Sequence, residues 1–159
     1  MHFDPAAYAA RREEALLVAF LDLTRFAVQS AKVPDLELAE RLDEYYLRVS
    51  TRIAGAGGHV VKYIGDGVLV VFHQAAADAA VETLLGLEDE IDAWMESLGW
   101  ECRLTAKVHV GSVVVGPLAG QLDVIGQTVN NCARLPMARV ALSEEAVAAL
   151  SDEVRARIE

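Results

Sequence analysis

Two aspartates occupy positions where a carboxylate is costly unless something compensates its charge. Asp22 lies near the end of an apolar run of strand length over residues 16–23, and Asp66 lies in a Gly-Asp-Gly turn over residues 65–67. Taken singly, each aspartate is more simply explained as a capping or turn residue. If the two segments lie side by side, the carboxylates suit Mg²⁺, which binds a few carboxylates together with substrate phosphates. The pair is therefore a candidate metal site.

Two further pairs of polar residues have the chemistry to bind a substrate. Asn130 and Arg134 are four positions apart in a predicted helix, so they share one face. An amide and a guanidinium on one face suit a sugar and a phosphate, although a solvated helix face is the commoner arrangement. On residue type alone, Lys62 is a solvent-facing strand residue and Asp123 is a turn residue.

Hydrophobic periodicity predicts the elements that must position these residues. An Ala-, Arg- and Glu-rich helix over residues 6–15 precedes the buried strand over residues 16–23. Asp35 is the predicted N-cap of the next helix, which is amphipathic. The segments predicted after that cap are helix 38–53, strands 59–64 and 68–72 joined as a hairpin, helix 80–95, strands 103–110, 113–115 and 122–125, helix 128–135 and a helix that begins at Ser143.

This order of elements predicts an α+β fold, a ferredoxin-like antiparallel sheet with helices packed on it. The length of 159 residues suits a single domain over residues 1–159. The composition, 53% hydrophobic and 24% charged, is typical of a globular protein and not of a disordered chain.

The charge balance narrows the partners that we expect. Lys and Arg number 14 against 24 Asp and Glu, a formal charge of −10, which argues against binding to nucleic acid or to an anionic membrane surface. An anionic small molecule remains admissible, because metal ions can supply positive charge locally. Since Cys102 and Cys132 form no disulfide framework and no leader or membrane-spanning run is evident, we expect a cytoplasmic protein with reduced thiols.

The glycine clusters and histidines match no other catalytic motif. The glycines within residues 55–58 precede a predicted strand, whereas a dinucleotide-binding loop follows one. The sequence contains no phosphate-binding G-x-x-x-x-G-K-[ST] loop and no G-x-S-x-G nucleophile turn, and its four histidines lack metal-ligand spacing.

Four segments, taken in order, carry a more specific signal. They are residues 20–26 (FLDLTRF), 57–67 (GGHVVKYIGDG), 108–116 (VHVGSVVVG) and 122–135 (LDVIGQTVNNCARL). In order and spacing they resemble the motifs of the class III nucleotidyl cyclase catalytic domain, the adenylyl and guanylyl cyclase family. The resemblance extends over about residues 16–150.

The resemblance implies an activity: conversion of ATP to 3′,5′-cyclic AMP and pyrophosphate at two Mg²⁺ or Mn²⁺ ions. By analogy with the family, Asp22 and Asp66 would hold the metal ions, and Asn130 and Arg134 would orient the ribose and stabilise charge on the α-phosphate. The motif that contains Asp22 also contributes Leu23, Arg25 and Phe26 to the substrate-binding residues.

Lys62 and Asp123 would bind the base, and this pairing in the family indicates adenine; guanine-selective members usually carry Glu and a small polar residue or Cys. In this family the metal aspartates come from one protomer, and the residues that bind base, ribose and α-phosphate come from the other. The resemblance therefore implies a homodimer with two shared sites.

The sequence departs from the family in three places. Arg25 replaces a common Gly, which would change how the triphosphate is cradled or place a side chain against a phosphate. The stretches over residues 116–121 and 135–140 are shorter than usual, and the sequence reaches Glu159 before the late strands that often carry a phosphate-binding Lys. The alternatives to an adenylyl cyclase are a cyclase that uses GTP or a pyrimidine nucleotide, a catalytically silent regulatory binding module, and an unrelated α+β domain.

Overall fold

The computed structural model describes residues 1–158, which form one six-stranded sheet with helices on both faces. Its elements in chain order are a 3-10 helix Pro5–Tyr8, β1 Arg12–Leu23, α1 Phe26–Ser30, α2 Asp35–Gly55, β2 His59–Ile64, β3 Gly67–His73, a 3-10 turn Gln74–Ala76, α3 Ala77–Ser97, β4 Leu104–Leu118, β5 Gln121–Ile125, α4 Gln127–Ala133, β6 Val140–Leu142, α5 Glu144–Ala148 and α6 Asp152–Ile158. The predicted α+β fold class is confirmed.

The central strand is β1, which pairs antiparallel with β3 on one side and β4 on the other. The strand order is β2-β3-β1-β4-β5, and β6 pairs parallel with β4. Leu16, Leu17, Val18 and Ala19 are all fully buried, because a central strand covered on both faces needs apolar side chains on both. This arrangement explains the continuous apolar run in the sequence.

The helix predicted over residues 6–15 is wrong. Only Pro5–Tyr8 forms a 3-10 helix, and β1 already begins at Arg12. Arg12 lies opposite Val115 in the β1–β4 register, so sheet pairing extends β1 past the apolar run. This tertiary pairing overrides the helix propensity of the Ala, Arg and Glu residues.

Two other local predictions are corrected. Asp35 is the first residue of α2 and not its N-cap, since Pro34 occupies that position. The Asp35 carboxylate instead lies at the positive end of the helix dipole.

The strands predicted over residues 103–110 and 113–115 are one continuous strand, β4, which runs through Gly111 without a break. A Cβ atom on Gly111 would lie 2.5 Å from Thr128 Oγ1, so the missing side chain lets α4 pack against the sheet.

The sheet separates two hydrophobic cores. The larger lies under α2 and α3, where Tyr45, Ile53 and Leu84 are buried. The smaller lies on the opposite face, under the N-terminal segment and α4, and includes Phe3 and Cys132. Both cysteines are buried and form no disulfide within residues 1–158. No helix within residues 1–158 is long and apolar enough to cross a membrane.

Candidate active site

The turn that carries Asp66 is held in place by two adjacent tyrosines of α2. The Tyr45 hydroxyl donates a hydrogen bond to the backbone oxygen of Asp66 at 2.9 Å, and the Tyr46 hydroxyl donates to that of Gly65. Burial, and next the Asp66 charge, raise the pKa of Tyr45 well above its ordinary value, so this phenol stays a hydrogen-bond donor at neutral pH. Helix α2 therefore fixes the hairpin turn against the end of β1.

Each candidate metal aspartate uses one carboxylate oxygen in the fold. Asp66 Oδ2 accepts a hydrogen bond from the backbone N–H of Leu23 at 2.9 Å. Asp22 Oδ1 accepts one at 2.5 Å from the hydroxyl of Thr105, which lies opposite Asp22 in the β1–β4 register. Within residues 1–158 the other oxygens, Asp66 Oδ1 and Asp22 Oδ2, make no hydrogen bond. One oxygen of each carboxylate is thus available for an added ligand.

Asp22 and Asp66 line a common cavity of about 320 Å³. The predicted loop residues Leu23, Arg25 and Phe26 line the same cavity, so the structure brings five of the predicted residues together. No group of three or more His, Cys, Asp and Glu side chains converges in the described part of the chain. Two carboxylates, with substrate oxygens completing the shell, suit a hard cation such as Mg²⁺ or Mn²⁺.

A cavity larger than the carboxylate cavity lies in another part of the fold and is lined by different residues. It has a volume of about 430 Å³ and lies between α5 and α6, with Leu142 and Val147 among its lining residues. None of the predicted site residues lines it, so size alone does not identify the site.

Arg25 has an unusual backbone at the rim of the carboxylate cavity. Its φ of 59° lies in the left-handed region, which explains why a Gly suits this position. Thr24 anchors the loop, because its N–H donates to Arg103 O at 2.9 Å and its hydroxyl accepts from the Arg103 N–H at 3.0 Å. The Arg25 guanidinium donates to Glu101 at 2.7 Å.

Lys62 and Asp123 form an ion pair, with Nζ 3.2 Å from Oδ2. They belong to β2 and β5, which lie at opposite ends of the strand order but contact each other, so the sheet curls until these strands meet. The β2–β3 register shifts between Val60 and Lys62, which places Lys62 opposite Leu69. Such a bulge re-aims a side chain. The structure therefore joins two residues that are 61 positions apart.

Helix α4 presents Asn130 and Arg134 to solvent. The Cys132 thiol lies 3.2 Å from Lys107 O, and the Lys107 ammonium donates to Ala133 O at 3.0 Å, so the opposite side of α4 is fixed to β4. Arg134 caps the helix, and its N–H donates to Asn130 O, which preserves the predicted helical spacing. Within residues 1–158 neither side chain makes a hydrogen bond or an ion pair.

The predicted residues therefore form separate groups on one chain. None of Lys62, Asp123, Asn130 and Arg134 lines the carboxylate cavity. The sequence analysis did not identify the residues that hold the site in place, which are Tyr45, Tyr46 and Thr105. The hydroxyl group of each side chain could have indicated such a role in the sequence, because a buried hydroxyl needs a hydrogen-bond partner.

Comparison with known proteins identifies the family of this chain. The pattern of the family described as "Adenylate and Guanylate cyclase catalytic domain" matches residues 8–158. An adenylate cyclase of Glutamicibacter nicotianae is 32% identical over 122 residues, which are 76% of this chain and 28% of that protein. Across three such adenylate cyclases the matched region spans only 26%, 28% and 30% of their lengths.

Solved structures share the fold. The adenylyl cyclase CyaB from P. aeruginosa superposes with a TM-score of 0.82 at 21% identity, covering 88% of this chain and 82% of that one. The guanylyl cyclase Cya2 superposes with a TM-score of 0.79 at 23% identity, covering 91% of this chain and 81% of that one. The unrelated α+β alternative is thereby excluded. The chain belongs to the adenylate and guanylate cyclase catalytic domain family.

Proposed function

We propose that this chain is a metal-dependent nucleotidyl cyclase that converts ATP to 3′,5′-cyclic AMP and pyrophosphate. The observation that carries the proposal is the carboxylate cavity, in which Asp22 and Asp66 each keep one oxygen without a hydrogen-bond partner in the described chain. Two aspartates that served only as a capping residue and a turn residue would have no need to line one cavity.

The residues present fit the two metal ions that the family implies. Asp22 and Asp66 would hold two Mg²⁺ or Mn²⁺ ions through their available oxygens, and substrate phosphates would complete the shell. When bound, such ions lower the pKa of the ribose 3′-hydroxyl and neutralise the triphosphate charge. The network from Tyr45, Leu23 and Thr105 preorganises both carboxylates, so little reorganisation is needed when the ions bind.

The remaining residues act on the substrate itself. The 3′-hydroxyl gives up its proton to solvent, its oxygen forms a bond to the α-phosphorus, and the bond to the leaving pyrophosphate breaks. Asn130 orients the ribose, and Arg134 places a fixed positive charge where negative charge builds up on the α-phosphate. Both side chains are exposed and without partners within residues 1–158, so they are available to a substrate.

The Lys62–Asp123 pair supports ATP as the substrate. Adenine offers an acceptor at N1 and a donor at its 6-amino group, which complement the Lys62 ammonium and the Asp123 carboxylate. Guanine in the same orientation would place a donor against Lys62 and its O6 acceptor against Asp123. The adenylate cyclases among the relatives support the same choice, whereas the guanylyl cyclase neighbour keeps GTP as the alternative to be tested.

We propose further that two chains share each site in a homodimer. The carboxylate cavity and the residues for base, ribose and α-phosphate are separate on one chain, which supports completion of each site by a second copy. Exposed apolar side chains accompany both groups: Val28 and Met137 line the carboxylate cavity, and Ile125 closely follows Asp123. Covering such side chains favours association.

One assay tests the proposal and its alternatives. The protein is incubated separately with ATP, GTP, CTP and UTP in the presence of Mn²⁺, and cyclic monophosphate and pyrophosphate are quantified. The proposal predicts equal amounts of cyclic AMP and pyrophosphate from ATP and none from Asp22→Ala protein. A different preferred nucleotide would revise the substrate, and no product from any nucleotide at high protein concentration would favour a silent binding module.

A further inference from the structure

Arg25 occupies a backbone conformation that does not suit it. It lies in the loop between β1 and α1 with a φ of 59°, and Ala119 is the other non-glycine residue with positive φ in residues 1–158. A left-handed backbone crowds any β-carbon, and glycine would adopt it without that penalty. Strained residues of this kind often serve a function that the backbone alone does not require.

Stability of the fold does not account for this arginine. Its ion-pair partner is Glu101, with Nη1 2.7 Å from Oε2, and the two side chains are 64% and 77% exposed. An exposed pair of this kind contributes little to stability, because both charges are well solvated when apart. Neither the backbone nor the ion pair therefore explains an arginine at this position.

The location of Arg25 supplies an explanation. Among the residues that line the cavity of Asp22 and Asp66, it is the one with a cationic side chain. It also lines a neighbouring cavity of about 40 Å³ together with Lys32 and Glu101. Arg25 thus borders the carboxylate cavity, while its guanidinium is bound to the carboxylate of Glu101.

The chemistry of a guanidinium suits a phosphate better than it suits this surface pair. Its planar array of donors binds two oxygens of a phosphate at once, which an ammonium does not do. The chain has a formal charge of −10, so a polyanionic substrate gains from any cation at the cavity rim.

We propose that Arg25 binds the polyphosphate of the substrate and that Glu101 competes for its guanidinium in the free protein. The inference rests on the proposed function, which supplies a nucleoside triphosphate at this cavity. When substrate binds, the Arg25 side chain exchanges the Glu101 carboxylate for phosphate oxygens. Glu101 therefore lowers the affinity for the triphosphate, and Arg25 raises it.

The test is calorimetric binding of α,β-methylene-ATP with Mn²⁺, an analogue that cannot release pyrophosphate. Arg25→Gly should raise the dissociation constant about tenfold, since a hydrogen-bonded charge at a partly exposed site is lost. Arg25→Lys should recover part of this loss, because it keeps the charge without the planar fork. Glu101→Gln should tighten binding about twofold to fivefold, because the competing carboxylate is removed.

Two controls separate phosphate binding from general effects. Lys32→Gln removes a cation that lines only the smaller cavity, so its dissociation constant should stay within about twofold of wild type. Adenosine, which has no phosphate, should bind Arg25→Gly and wild-type protein equally. Thermal unfolding checks that Arg25→Gly is folded, and this glycine suits the left-handed backbone.

Failure of this inference is distinguishable from failure of the proposed function. If Arg25→Gly binds the analogue as tightly as wild type, or if Glu101→Gln binds it more weakly, the inference is overturned. Neither result bears on whether the wild-type protein is a cyclase. If wild type binds the analogue with the expected order of variants but makes no cyclic nucleotide, the inference stands and the proposed function falls. If wild type does not bind the analogue, both are overturned.

Discussion

Substitution of Asp66 separates its role in the fold from its proposed role in metal binding. One oxygen, Oδ2, accepts the Leu23 N–H at 2.9 Å, and the other has no partner within residues 1–158. Asp66→Asn keeps an oxygen acceptor for Leu23 but removes the charge that a metal needs. Asp66→Ala removes both the acceptor for the Leu23 N–H and the charge. The two variants should therefore differ in stability but agree in their loss of activity.

The expected magnitudes follow from this hydrogen bond. Leu23 is 5% exposed, so an N–H left without its charged acceptor should cost about 2 kcal/mol in Asp66→Ala. That cost corresponds to a fall of about 4–8 °C in Tm for a domain of this size. Asp66→Asn should lose less than about 1 kcal/mol, because a neutral hydrogen bond to the Leu23 N–H is retained. Cyclase activity should fall by at least about 100-fold in both variants, since loss of a residue that only supports a metal ligand already costs about 10- to 100-fold.

Urea unfolding followed by circular dichroism measures the first difference, and cyclic AMP production with Mn²⁺-ATP measures the second. Thr51→Ala, at an exposed position of α2 away from the cavity, is the matched control and should leave both quantities near wild type. Activity of Asp66→Asn within a few-fold of wild type would refute a metal-binding carboxylate at this position. Wild-type stability of Asp66→Ala would refute the bond to Leu23 as a stabilising contact.

Three further substitutions test other parts of the structure. Arg25→Gly should be about 1 kcal/mol more stable than Arg25→Ala in urea unfolding, because both lose the ion pair and only glycine suits a φ of 59°; equal stability would contradict this backbone. Lys62→Met should change the free energy of unfolding by less than about 1 kcal/mol, since its ion pair is partly exposed, yet lower the ATP-over-GTP ratio of kcat/KM at least about tenfold; an unchanged ratio would exclude Lys62 as a base-binding residue. Burial raises the pKa of the Cys132 thiol from 9.0 to about 11, so the unfolded chain loses this proton first as pH rises and stability falls between these values. Wild type should lose roughly 2 kcal/mol more than Cys132→Ala between pH 9 and pH 11, and equal pH slopes would contradict a buried neutral thiol.

The parts of the fold that could be predicted from sequence are those in which local pattern and tertiary packing agree. The long helices α2 and α3 and the β2–β3 hairpin follow from periodicity and turn chemistry. The first residues of β1 and the three-residue strand β6 were missed, because both depend on pairing with distant segments of β4. Local propensity carries no information about such pairing.

In the candidate site, too, some residues could be predicted from local sequence and others depend on tertiary packing. Asp22 and Asp66 were identified because a carboxylate beside an apolar strand is conspicuous in the sequence. The contact between Lys62 and Asp123 depends on the curl of a whole sheet and on a bulge in β2, so residue type alone favoured two unrelated surface positions. The support that Tyr45 gives the Asp66 turn depends on how α2 packs, which periodicity does not specify.

The most direct test of a shared, metal-dependent cyclase site is complementation between two inactive variants. Asp22→Ala lacks a proposed metal ligand and Arg134→Ala lacks the proposed α-phosphate residue, so each homodimer should produce no cyclic AMP from Mn²⁺-ATP. In a mixed dimer one site carries both lesions and the other carries neither. An equimolar mixture should recover about a quarter of wild-type activity, because about half the dimers are mixed and each has one intact site. No activity in a mixture whose heterodimers are confirmed by differential tagging would contradict the account.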